Sequence, residues 1–174
     1  MDKKILKDKL TANHNAFAAS ISSLDNEEFL SSKSGKWTAG QQLEHIYLSV
    51  VPLRQILSLP KFLLKLIWGK ANRESKNYEE LVRKYSQKLA NGGRATGRFI
   101  PKSVTVEKGQ NLKAKLQNEV KNLCSVLDRF TEKELDEYVL PHPLLGKLTL
   151  REMMYFTIYH VEHHGKLLKQ NLQS

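Results

Sequence analysis

The chain has 174 residues, 40% of them apolar and 26% charged, with a formal charge of +10. That length suits a single domain over residues 1–174 with a well-buried core, and the ordinary apolar share excludes a disordered or fibrous chain. The longest apolar stretch, Phe62 to Trp68, is broken by Lys65 and is too short to span a bilayer. Met1-Asp2-Lys3-Lys4 opens a charged amphipathic pattern rather than a signal peptide. One cysteine, Cys124, has no disulfide partner within the chain and agrees with a cytoplasmic location.

The first predicted helix runs from Lys3 to Ser23, where Leu6, Leu10, Phe17, Ile21 and Leu24 recur at spacings of three, four or seven. Ser31 to Lys36, small and polar with Gly35, reads as a loop. Thr38 and Gln41 form a capping box behind Trp37, so a second helix starts at Ala39 and continues to about Leu57, with Pro52 able to kink or divide it. Lys61 to Trp68 reads as a short amphipathic helix, and Asn91 to Pro101, with Gly92, Gly93 and Gly97, as an irregular loop. A third long helix covers about Glu107 to Phe130 through the stripe Leu112, Leu116, Val120, Leu123, Leu127 and Phe130. Thr131 and Glu134 cap a short helix that Pro141-His142-Pro143 ends. Thr149 and Glu152 cap the last helix, which runs to about Leu172. Four long helices and no strand-like runs predict an all-α four-helix bundle with extra short helices and a long middle connection.

The charge is densest from Lys70 to Lys102, where nine Lys/Arg stand against three Glu (Glu74, Glu79, Glu80), a local excess of +6. Such a segment can attract nucleic acid or an anionic small molecule. No RNP-like, zinc-finger or helix-turn-helix signature accompanies it, so a solvated helix face and loop is the plainer reading.

The histidines carry the chemistry. On the last helix Met153, Thr157, His160, His164 and Leu167 or Leu168 fall in one narrow stripe, the face a bundle buries. His160 and His164 therefore point inward one turn apart, where two neutral imidazoles can grip one cation. The alternative is a pair of hydrogen-bonded core histidines. His163 lies about 80° round the helix from that stripe, at its edge or in solvent. A third ligand has three candidates, His14 beside the first helix's stripe, His45 and His142 between its prolines. His45 lies off the apolar stripe of Leu43, Ile46, Tyr47 and Val50, and spacing alone does not choose among the three.

The segment Trp37-Thr38-Ala39-Gly40-Gln41-Gln42-Leu43-Glu44-His45, taken with Tyr159-His160-Val161-Glu162-His163-His164, resembles the DinB/YfiT-like superfamily of metal-dependent enzymes. His142-Pro143-Leu144-Leu145-Gly146-Lys147-Leu148-Thr149 resembles the lead-in to the last helix in one uncharacterised branch. The resemblance spans most of the chain, is loose from Pro52 to Lys102, and implies a metal held by His45, His160 and His164. Two positions depart from the pattern of many relatives: Val161 replaces an aspartate, and Gly165-Lys166 follow His164 in place of a leucine and an arginine-glutamine pair.

What the resemblance implies is a metal-dependent enzyme acting on a small molecule, with a divalent transition metal (Zn, Ni, Fe or Mn) in a cleft between helices. Hydrolysis and transfer of a low-molecular-weight thiol both fit three protein ligands with an open position. A homodimer is allowed; nucleic acid and membrane are not expected partners. No general acid or base is apparent, because Glu44 and Glu162 adjoin ligands in sequence but point elsewhere on a helix. The alternatives are a non-catalytic bundle that binds metal or a partner, and a nucleic-acid module using residues 70–102.

Overall fold

The computed structural model describes residues 1–32 and 35–173; Lys33 and Ser34, within the expected loop Ser31 to Lys36, lie outside the described residues. In chain order the elements are α1 (Lys3–Ser22), α2 (Asn26–Leu30), α3 (Ala39–Ser58), α4 (Lys61–Trp68), α5 (Tyr78–Ala90), a short 3₁₀ turn (Gly97–Phe99), α6 (Val106–Leu127) and α7 (Glu132–Glu137). A hairpin, β1 (Val139–His142) and β2 (Gly146–Thr149), then leads into α8 (Leu150–Gln173). Among the described residues no helix is long and apolar enough to cross a membrane.

The starts of the helices are written in the sequence. Asp2 caps α1 by accepting from the Ile5 N–H at 2.8 Å. The three expected capping boxes all form, at Thr38–Gln41, Thr131–Glu134 and Thr149–Glu152. Two more, Asp25–Glu28 and Asn77–Glu80, start α2 and α5 by the same chemistry. Pro52 sits inside α3 without ending it.

Cross-helix pairs define the bundle. Lys7 meets Asp128 and Asn15 meets Gln117, so α1 and α6 are antiparallel. Lys108 meets Glu44 and Arg54 holds Glu119 with two hydrogen bonds, so α3 and α6 run parallel. Asn13 donates to the Ile158 carbonyl, and the Phe17 ring lies against Gly165, so the first and last helices are also parallel. Against α8, α3 is antiparallel: Trp37 reaches Asn171 while Gln42 reaches His164 and His45 reaches His160. Leu6, Leu10, Leu43, Leu116, Leu123 and Leu127 fill the centre with no exposed surface. At one end Phe29 of α2 wedges between α3 and α6. A Cβ on Gly40 would lie 2.8 Å from its ring, and one on Gly109 would lie 2.4 Å away, so only glycine admits the wedge.

Two features differ from the sequence reading. The hairpin is strand where none was expected: Val139 pairs with Thr149 and His142 with Gly146. Strands of four residues carry too little alternation to register as a period. The middle connection also contains a full helix, α5, which packs on α8. Its neighbouring cations are partly engaged within the fold: Lys70 pairs with Glu137, Arg73 with Glu152, and Lys84 donates to the Leu145 carbonyl. By contrast α4 leaves Phe62, Leu66 and Ile67 exposed.

Candidate metal centre

His45 lies two turns into α3, and His160 and His164 lie one turn apart on α8, across the antiparallel α3–α8 contact. One ligand nitrogen from each of the three falls within 4.8 Å of the others, and all three residues are buried. The ring centroids stand 4.7 to 4.9 Å apart. His45 Nε2 and His160 Nε2 are 3.0 Å apart.

Protons are placed by the partners on the far side of the rings. The Phe99 carbonyl, 2.7 Å from His45 Nδ1, can only accept, so His45 carries its proton there and presents a bare Nε2. Gln42 Oε1, 3.2 Å from His164 Nδ1, fixes that ring in the same tautomer. Burial first, and the neighbouring imidazoles second, hold His160 and His164 far below the usual histidine pKa. Burial likewise lowers His45, against the opposing hydrogen bond to Phe99. The three rings are therefore neutral at pH 7, the state in which imidazole binds a metal. Zinc–nitrogen bonds of about 2.0–2.1 Å at tetrahedral angles separate ligand atoms by roughly 3.3 Å, so this cluster fits one ion with little movement.

Aromatic rings wall the cluster. Trp37 stacks on His164 at 6.1 Å and leans on His45 at 4.9 Å; Phe156 stacks on His160 at 4.7 Å. On its open side lies a cleft of about 350 Å³, reached by His45 and His160. Leu53, Ile56, Leu89 and Met153 give it apolar walls, and Arg94, Tyr85 and His142 stand among them.

Helical spacing placed His45 off its helix's core stripe, yet it is only 6% exposed. The first turns of α3 are covered on several sides at once. Phe29 and Val104 crowd Gly40, the Lys102 N–H donates to Glu44, and α8 lies over Gln42. An amphipathic stripe cannot be read where a helix has no wet face. Glu44, bound to Lys102 and Lys108, points away from the imidazoles, as expected for a residue adjoining a ligand. Of the other histidines, His163 is half-buried at the edge of the cluster, His14 is buried in the core outside it, and His142 lines the cleft. Gln42, Phe99, Tyr85 and Arg94 escaped the sequence reading. Only Gln42, a polar residue beside the capping box, carried a local signal.

Fold and site together define an all-α bundle with three converging imidazoles, two of which reach an apolar cleft. The chain belongs to the DinB superfamily, whose family model matches residues 9–168. Among solved structures it is similar to YfiT from Bacillus subtilis, described as a probable metal-dependent hydrolase with an unusual four-helix bundle topology. The two share 16% identity and a TM-score of 0.64, over 98% of this chain and 86% of that one. At that identity the likeness establishes the fold. No curated protein matches the chain.

Proposed function

We propose that this protein is a metal-dependent enzyme in which His45, His160 and His164 hold a divalent transition metal, drawn from Zn, Ni, Fe and Mn, and act on a small molecule in the adjoining cleft. The observation that carries the reading is the convergence of three buried, neutral imidazoles, two with Nδ1 tied to a carbonyl oxygen. Burying such groups is costly unless they are satisfied, and a shared cation satisfies them. YfiT's description as a probable metal-dependent hydrolase agrees with this reading.

When bound, such a metal activates water or ionises a thiol, which gives hydrolysis or low-molecular-weight-thiol transfer as the reaction. The protein's own contribution is orientation and dryness. Phe99 and Gln42 hold the imidazole tautomers, Trp37 and Phe156 fix the rings, and the aliphatic cleft excludes water from the substrate's apolar part. The lone thiol, Cys124, is free and buried, which suits a reducing cytoplasm.

Elemental analysis of protein purified without chelator or histidine tag is the test. About one equivalent of a transition metal is expected, as for a three-histidine catalytic site. His160→Ala and His164→Ala should each abolish stoichiometric binding with helix content unchanged. Full metal retention in either variant removes that residue from the site. No uptake from Zn, Ni, Fe or Mn sinks the reading and leaves a partner-binding bundle.

A further inference from the structure

His142 ends β1, beside the hairpin turn, and lines the cleft. Its Nδ1 accepts the backbone N–H groups of Leu144 and Leu145, each at 3.1 Å. A nitrogen that accepts twice carries no proton, so the neutral ring bears its hydrogen on Nε2. No acceptor among the described residues meets Nε2, and the ring lines the cleft, edge-on to Phe156 at 4.2 Å. The turn thus presents one fixed N–H donor to whatever enters.

Arg94 lines the same cleft. Leu144 presses on Gly93, where an added Cβ would lie 2.8 Å from Leu144 Cδ1, so the Arg94 loop and the His142 turn are packed together. Among the described residues the Arg94 guanidinium has no ion pair or hydrogen bond, and no Asp or Glu lines the cleft. Nearby, Lys84 donates to the Leu145 carbonyl at 3.0 Å and adds a positive field behind the turn. Cations and donors without any opposing carboxylate favour an anion, and apolar walls favour a hydrocarbon body.

We infer that the cleft selects small apolar acids, with the anionic oxygens received by His142 Nε2–H and Arg94 while the apolar body lies along Leu53, Ile56 and Leu89 towards the imidazoles. This names the substrate class for the proposed enzyme and rests on that reading only for the chemistry, since the recognition needs no metal. His142 acts here as a positioning residue.

The test uses the full chain, metal-stripped and zinc-loaded, titrated calorimetrically with 4-phenylbutyrate, 4-phenylbutyramide and 4-phenylbutylamine. In both forms the acid should bind about tenfold or more tighter than the amine, the scale of a charge-assisted contact, with the amide between them. Arg94→Gln and His142→Asn should each erase most of that preference. Asparagine Oδ1 can accept the same two turn N–H groups, so His142→Asn keeps the hairpin while its amide N–H groups, at the place of the ring's Cδ2, stop short of where Nε2–H reached. Long-range proton–nitrogen spectra of the imidazoles should show His142 protonated at Nε2. The inference is overturned by equal affinity for acid and amine, by no binding of any probe, or by acid binding that both variants leave intact. Zinc uptake, measured on the same samples by equilibrium dialysis, reports separately on the metal reading. Zinc bound without acid preference sinks this inference alone, and acid preference without zinc sinks the metal alone.

Discussion

His14 is buried in the bundle core, its Nδ1 2.7 Å from the Leu10 carbonyl and its Nε2 without a hydrogen-bond partner. Burial lowers its pKa from 6.5 to about 4, although the hydrogen bond to Leu10 pulls the other way. A folded value below the unfolded one means that the fold prefers the neutral ring. That preference costs nothing above the unfolded pKa, and stability is lost as pH falls from 6.5 through 4. The loss reaches about 3 kcal/mol for a shift of this size. Burial depresses His45, His160 and His164 in the same direction, so acid sensitivity is shared. His14→Leu isolates one part of it. Unfolding free energies from urea titrations at about pH 7.5 and about pH 4.5 should lie closer together in the variant than in the parent, by up to that amount. An unchanged gap would clear His14 of the effect.

Among the elements, the start of α8 gathers four hydrogen bonds on one buried carboxylate. Glu152 has no exposed surface. It accepts from both terminal nitrogens of Arg73, at 2.6 and 2.7 Å, and from the backbone N–H groups of Lys76 and Thr149. These partners hold its pKa below the usual carboxylate value although burial alone would raise it. Glu152→Ala should therefore cost about 1–3 kcal/mol, because it strips the Thr149 and Lys76 N–H groups of their acceptor while the exposed Arg73 returns to water. Denaturant unfolding checks this, and a loss of under about 1 kcal/mol would reduce Glu152 to an ordinary helix cap.

The same residue shows what was legible. Thr149 and Glu152 read as a capping box because both halves lie within four residues. Arg73, 79 residues away, gives no local sign of reaching the same carboxylate. The long helices of α1, α3, α6 and α8 were legible from their stripes and caps, and His160 and His164 from one face of α8. His45 was not legible from spacing, because neighbours from three directions bury its end of α3, and only its resemblance to the family pattern singled it out. The hairpin and α5 were missed for different reasons. The hairpin is too short to show a period, whereas α5 carried an Asn77–Glu80 box as clear as the others.

At the scale of the whole molecule, an ion bound by the folded chain and not by the unfolded one must raise stability. The gain is about 2.7 kcal/mol at a hundredfold excess over the dissociation constant. A melting temperature unchanged across Zn, Ni, Fe and Mn would count against a native-state site. The same measurement on His45→Ala should show a much smaller shift, because two imidazoles on one helix hold the ion more weakly than three.

The three imidazoles also have an order in time. His45 is synthesised early and waits while 114 residues, including all of α6, are made before His160 follows it. Its partners arrive only with α8, which must settle antiparallel to α3 and parallel to α1. A nascent chain lacking α8 holds one isolated imidazole and an open groove where the cleft's second wall belongs. Competence to capture an ion is thus acquired only once α8 has left the ribosome, and the site records that α3 and α8 have found each other.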